Sequence, residues 1–244
     1  KNILTDQQKR NYVSFMVHDL RNPNANILGR IQLMNKKMRN MIQSSNDNAD
    51  VGKMIDMLQK MEKAVRQSND FISSLLDLDQ MRSGKYILSI ENFSFRNMIM
   101  EEVETKKLIL DSQNKKIDIE LWFSESDNIF IDGDKSRLTR IVRNLLDNAV
   151  KFAKDKVEIK VHVQDGKLRL RIFNDGRGVP QKLHKKIFDL FYQADLFEKR
   201  DQRGTGLGLP YSKYALEQHG GRIWVESEAD NSGAAFVFEV PLAH

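Results

Sequence analysis

The chain has 244 residues, 40% of them hydrophobic and 30% charged, a balance that reads as soluble and globular and leaves room for one large domain or two ordinary ones. Its formal charge of +5 is spread out, with no dense Lys/Arg block interleaved with aromatics, which argues against nucleic-acid binding. Cysteine is absent, which excludes disulfides and thiolate metal sites and fits a reducing compartment, and the sequence holds no run of about 18 apolar residues that would span a bilayer and no signal-peptide pattern. The chain opens on Lys1 rather than Met, and we read it as an excised piece of something longer.

The first stretch is helical by periodicity. Apolar residues recur in steps of four and three at Val13, Val17, Leu20, Ile27, Ile31, Met34, Met38 and Met41, with a gap at Asn24. A polar break from Gln43 to Gly52 precedes a second seam at Met54, Leu58, Met61, Val65, Ile72 and Leu75, in which Ser68 takes one slot. Two long antiparallel helices follow from this, and because a lone hairpin cannot cover its apolar faces, two copies are expected to pair as a homodimeric four-helix bundle. The heptads stop at Arg82-Ser83-Gly84, which sets the expected domains at 1–84 and 85–244.

The second part mixes helices and strands. Ser94 caps a predicted helix to about Ser112, strands are predicted at Ile117–Phe123 and Ile129–Asp132, and Asp134 caps a predicted helix through Phe152. Val157, Ile159, Val161 and Val163 alternate, and Asp165-Gly166 turns the chain into Leu168, Leu170 and Ile172, a hairpin pattern. A glycine-rich stretch near Gly204 leads into another helix, and Ile223–Ser227 and Ala235–Val240 form a closing hairpin across Ser232-Gly233. The fold class is therefore α+β and multidomain: a helical hairpin followed by an α/β sandwich.

Four local patterns carry chemistry. In Phe15-Met16-Val17-His18-Asp19-Leu20-Arg21-Asn22-Pro23, His18 lies beside the Val17 seam position and is expected at the bundle edge, partly exposed. A neutral imidazole there is a nucleophile for phosphorus, and Asp19 would hold the other ring N–H as charge develops. Pro23 bends the helix nearby. Second, Asn144, Asn148 and Lys151 share one helical face at spacings of four and three. Carboxamide oxygens ligate Mg²⁺ without cancelling its charge, and a lysine pairs with phosphate; a solvated polar face would explain the same residues. Third, the glycine clusters Asn174-Asp175-Gly176-Arg177-Gly178-Val179-Pro180 and Gly204-Thr205-Gly206-Leu207-Gly208-Leu209 allow close backbone approach to a ligand, the second of them at a helix N-terminus that favours phosphate. Fourth, Lys186-Ile187-Phe188-Asp189-Leu190-Phe191 lies between them in a stretch polar enough to be a lid, its phenylalanines reading as core anchors.

In this order the four patterns resemble the phosphoacceptor, asparagine, glycine and phenylalanine boxes of the sensor histidine kinases, over essentially the whole chain. The resemblance implies a dimerisation and phosphotransfer hairpin followed by a Bergerat-type ATP-binding domain in the cytoplasm, with any sensor or membrane anchor outside this stretch. His18 would accept phosphate from ATP with Asp19 assisting, and pass it to an aspartate on a response-regulator receiver domain. Asn22 would orient water for dephosphorylating that regulator. Asn148 would bind Mg²⁺, and the ATP site would comprise Asn144, Lys151, Phe152, Asn174, Gly176, Gly178, Lys186, Gly204, Thr205, Gly206, Leu207 and Gly208, with a lid from about Gln181 to Arg203. In related ATPases such as DNA gyrase and the heat-shock chaperones, a glutamate that activates water stands where this chain has Asn144. A carboxamide takes no proton, which disfavours a nucleotide-hydrolysing switch and favours transfer to His18.

Two departures from the family pattern bear on activity. Asn174 stands where the family usually has an adenine-binding aspartate; it still accepts a hydrogen bond, without the charge, so weaker nucleotide binding is expected. Asn24 stands where leucine is common. Both keep open a competing reading, a kinase-like module that acts by binding other kinases. A polar residue in a dimer seam lowers stability and either fixes register or hydrates and loosens the helix; we read Asn24 as softening the bundle near His18. The Asn24→Leu variant is therefore expected to melt at a higher temperature than the parent, and an unchanged melting temperature would refute the softening.

Overall fold

The computed structural model describes residues 87–124, 129–192, 206–227 and 232–242 continuously, together with 26–27, 29–30, 33–34, 57, 60–61, 65, 68, 71–72, 74–75 and 77–78. The chain divides into two compact units, Lys1–Leu76 and Asp77–His244. In the first, every described residue is helical. Ser68 and Leu75 are buried there, as is Phe71, which the seam reading omits, whereas Val65 and Ile72 are each 41% exposed. His18, Asp19, Asn22 and Asn24 lie outside the described residues.

The second unit is an α/β sandwich. A five-stranded sheet runs in the order β2 (Asp118–Phe123), β4 (Lys156–Gln164), β5 (Lys167–Asn174), β7 (Ala234–Pro241) and β6 (Arg222–Ser227). Only β2 and β4 pair in parallel. A separate antiparallel ribbon joins β1 (Glu91–Ser94) to β3 (Phe130–Gly133). The sequence reading has no counterpart to β1, because Glu-Asn-Phe-Ser is too short and polar to show alternation. The β4–β5 hairpin turns on Asp165 and Gly166, at φ of 52° and 69°, the paired positive values a two-residue primed turn requires.

Three helices pack on one face of the sheet: α1 (Phe95–Ser112), α2 (Lys135–Phe152) and α3 (Gly208–Gln218). The Ser94 hydroxyl accepts from the Asn97 amide at 3.2 Å and starts α1. In α2, Leu138, Ile141, Val142, Leu145, Leu146 and Ala149 are all buried, a single apolar stripe at helical spacing. They meet Val157, Ile159, Val161, Leu168, Leu170 and Ile172, the inward residues of β4 and β5, all of which are buried. The third helix begins at Gly208, inside the glycine-rich cluster that leads into it, and Gly206 just before it takes a left-handed φ of +70° that a helix cannot continue through.

Asp134 and His219 fix how α2 and α3 meet. The Asp134 carboxylate accepts from the Arg137 amide (3.1 Å), the Ser136 hydroxyl (2.8 Å) and the Ser89 amide (3.2 Å). Its own N–H donates to His219 Nε2 at 3.0 Å. Since that nitrogen accepts, the proton sits on Nδ1, which donates to Ala215 O at 2.7 Å. His219 is 0% exposed, so the neutral imidazole joins the end of α3 to the start of α2 with both nitrogens satisfied. Among the described residues no helix is long and apolar enough to cross a membrane.

Leu145, 0% exposed, sits mid-stripe. Leu145→Ala is expected to destabilise the second unit by about 2–5 kcal/mol, read as a lower denaturant midpoint at unchanged slope.

Candidate functional site

The polar face of α2 meets the first turn of α3. Asn144 Nδ2 donates to Gly208 O at 3.4 Å, and Ser212 Oγ donates to the same carbonyl at 2.9 Å. A Cβ on Gly208 would lie 3.6 Å from Asn144 Cγ, ordinary contact. One turn on, Asn148 is half-buried, and Lys151 and Phe152, also half-buried, follow. The Lys151 ammonium stands 4.8 Å from the centre of the Phe152 ring, and burial lowers its pKa from the ordinary lysine value. A partly dehydrated cation suits an anionic ligand.

The end of β5 forms a second wall. Asn174 is 1% exposed, and its carboxamide bridges two backbone groups: Nδ2 donates to Ala234 O at 3.2 Å and Oδ1 accepts from Gly176 N at 3.1 Å. Gly176 must be glycine, because a Cβ there would lie 1.7 Å from Phe152 O. Asp175 is engaged elsewhere. Its carboxylate accepts from the Lys154 amide (2.9 Å) and the Asp155 amide (3.1 Å). Burial pushes that carboxyl up, but the backbone N–H groups around it outweigh burial and hold it below the ordinary aspartate value. Gly178 is buried, Val179 N donates to Ser227 Oγ at 3.0 Å, and His184 Nε2, facing a carbonyl that only accepts, donates to Val179 O at 2.9 Å.

Two short 3-10 turns follow, Gln181–Leu183 and Lys186–Phe188. Ile187 and Phe188 are buried and Lys186 is exposed. Phe191, half-buried, has φ of 61°, and its N–H donates to Gly206 O at 3.1 Å. A Cβ on Gly206 would stand 3.0 Å from Phe191 Cα, so the two strands of chain at 191 and 206 touch backbone to backbone. Leu207 is 1% exposed. Gly204 and Thr205 lie outside the described residues.

Of the expected site residues, the structure brings Asn144 to Gly208, and Gly176 to both Phe152 and Asn174. Sequence reasoning missed the supporting residues Ser227, Gly233, Ala234 and His219. The sequence marks Gly233 only as part of a hairpin turn; a Cβ on it would lie 2.4 Å from the Phe173 ring and 3.0 Å from Asn174 O, so it lets β7 close on the end of β5. Nothing local in the sequence marks that approach.

Among the described residues no three His, Cys, Asp or Glu side chains gather as a metal cage. Carboxamide oxygens suit an ion that takes most of its ligands from phosphate and water, and the glycine-lined backbone and Lys151 suit the phosphates themselves.

Residues 133–244 match the family model of the histidine kinase-, DNA gyrase B- and HSP90-like ATPases. Sensor protein RprX of Bacteroides fragilis is 27% identical over 97% of this chain and 44% of its own length, and sensor histidine kinase WalK of Bacillus subtilis is 26% identical over 97% of this chain and 37% of its own. The chain thus spans less than half the length of these relatives. The nucleotide-free catalytic domain of histidine kinase ThkA superposes with a TM-score of 0.55 at 27% identity, covering 64% of this chain and 97% of that one. Full-length ShkA in complex with AMPPNP superposes at 0.67 over 96% of this chain and 46% of that one, a likeness of fold at 22% identity. The ATP-binding fold of the second unit and the relatives aligned along nearly the whole chain agree: residues 133–244 match the histidine kinase-, DNA gyrase B- and HSP90-like ATPases, and the chain is similar along nearly its whole length to sensor histidine kinases of two-component systems.

Proposed function

We propose that the second unit binds MgATP and that the chain, as a homodimer, transfers the γ-phosphoryl group to its own His18 and then to a response-regulator aspartate. The observation that carries the reading is that Asn144 meets Gly208 at the first turn of α3, while Asn148 and Lys151 follow it at spacings of four and three on the same face of α2. Asn148 would ligate Mg²⁺, Lys151 and Lys186 would hold phosphate oxygens, and Gly176, Gly178, Gly204, Thr205, Gly206, Leu207 and Gly208 would supply the backbone cradle. Phe152 and Asn174 would flank the base. Bound Mg²⁺ would spread the charge that develops on the phosphates. Asn144, whose carboxamide takes no proton, supports transfer over hydrolysis.

The remaining steps belong to the chain's own residues. The neutral His18 imidazole attacks the γ-phosphorus in line while Asp19 holds the other ring proton, and ADP leaves. The phosphohistidine donates to the receiver aspartate, and in the opposing, phosphatase, role Asn22 orients the water that hydrolyses the receiver's phosphoaspartate to aspartate and inorganic phosphate. We assign 1–84 to dimerisation and phosphotransfer, 85–244 to catalysis, and the whole to the cytoplasmic side of a longer sensor. The likeness to ThkA, solved in complex with response regulator protein TrrA, supports the choice of partner class. A second reading, a weakly catalytic module that acts by binding other kinases, draws on Asn174, whose carboxamide bridges Ala234 and Gly176 and brings no charge to the base.

Incubation with γ-labelled ATP and Mg²⁺ separates the readings. Acid-labile label on the parent and none on His18→Ala supports the kinase; nucleotide binding without label would leave the binding module, and phosphate release without label would revive hydrolysis. A pH dependence is also expected. The charged Lys151 binds phosphate, and burial lowers its pKa, so nucleotide affinity should fall with rising pH sooner than an ordinary lysine would cause. Lys151→Arg, charged throughout, should flatten that decline, and an equally steep decline in the arginine variant would remove Lys151 from the phosphate site.

A further inference from the structure

We infer that Asp77 is a positioning residue for the nucleotide site, a carboxylate latch that holds α2 against α3 and makes nucleotide affinity depend on where residues 77–78 sit; the identity of the ligand rests on the function proposed above. Asp77 and Leu78 are helical and are the first residues of the second unit. Leu78 is 0% exposed, which anchors the turn that carries Asp77.

Asp77 Oδ2 accepts from Arg137 Nη1 at 2.7 Å and from Arg140 Nη1 at 2.6 Å. Its side chain is 13% exposed, and those of the arginines 22% and 23%. Both guanidiniums engage one ring on α3. Arg137 Nη1 donates to the Tyr211 hydroxyl at 3.3 Å, and the Arg140 guanidinium lies 4.0 Å from the centre of the Tyr211 ring. Tyr211 is 0% exposed.

These contacts and the site share one seam. Arg140, Asn144 and Asn148 follow one another at intervals of one helical turn on α2. On α3, Gly208, whose carbonyl receives Asn144 Nδ2, stands one turn before Tyr211. The latch is thus the rung next to the Asn144–Gly208 contact. Two like charges pack against one ring because a shared, largely buried anion lies between them. Withdrawing that anion turns the arrangement into repulsion and draws water toward the guanidiniums, and it weakens the cation–π contact with Tyr211. Because one oxygen serves both arginines, a shift of the turn at 77–78 breaks both pairs at once.

The test uses the full chain, with Mg²⁺ and AMPPNP as the titrated probe and amide hydrogen exchange as a second measurement. Asp77→Ala should bind AMPPNP about five- to tenfold more weakly, with faster exchange at 137–148 and 207–212 and unchanged protection in β5 and β7. Asp77→Asn should fall between the parent and Asp77→Ala. Adding Arg140→Gln to Asp77→Ala should recover part of the affinity, since it removes one of the two like charges, giving a non-additive cycle. Parent-like exchange along the seam in Asp77→Ala would overturn the latch, and so would faster exchange with unchanged affinity. Loss of protection in β5 and β7 as well would mark a general loss of structure and equally overturn it. If the parent itself binds no AMPPNP, the proposed function fails, and the latch fails with it only if exchange along the seam is also unchanged in the variant.

Discussion

The second unit depends on the cap at Asp134. One carboxylate receives the Ser89 amide that precedes β1, the Arg137 amide that opens α2 and the Ser136 hydroxyl, while the Asp134 N–H reaches His219 at the end of α3. Burial pushes the Asp134 carboxyl up, but the hydrogen bonds from Ser136, Arg137 and Ser89 outweigh it and keep its pKa below the ordinary value. The cap therefore works as an anion, which is also what the N-terminal end of α2 favours. Remove that point and the start of α2, the end of α3 and the entry to β1 lose their common reference.

From this point α2 runs with two faces under different constraints. Its apolar stripe must stay against β4 and β5, which fixes its rotation about its own axis. Rotation fixed in that way turns Arg137, Arg140 and Asn144 toward α3. The ion pairs Arg143–Glu102 and Lys106–Asp147 tie the opposite flank to α1, though exposed pairs of this kind add little stability and chiefly set register. The orientation of Asn144 and Asn148 thus rests on the packing of the opposite, apolar face of α2.

Glycines set the distances at the other wall. Gly176 lies against the Phe152 carbonyl and Gly233 against the Phe173 ring and the Asn174 carbonyl, so α2, β5 and β7 meet backbone to backbone. Asn174 then fits between Ala234 and Gly176 with its carboxamide orientation decided by its two neighbours. A charged aspartate there would have no use for the Ala234 carbonyl, which accepts only. In this chain the asparagine contributes to the closure of the sheet end.

What the sequence alone determined was whatever is local and periodic: the caps at Ser94 and Asp134, the apolar stripe of α2, the alternation of β4 and β5 with the Asp165-Gly166 turn between them, and the spacing that puts Asn144, Asn148 and Lys151 on one face. These rest on neighbours within a few residues, so a single chain displays them. Only the tertiary structure decided what depends on distant pairs. Asp77 reaches Arg137 and Arg140, and His219 reaches Asp134, across separations for which no local pattern exists. The short ribbon at β1 had too few residues to alternate, and Asp175, which looks like a site acid beside Asn174, instead holds the Lys154 and Asp155 amides because the chain after α2 passes within hydrogen-bonding distance. A side chain's chemistry is written in the sequence, but its partner is chosen by the fold.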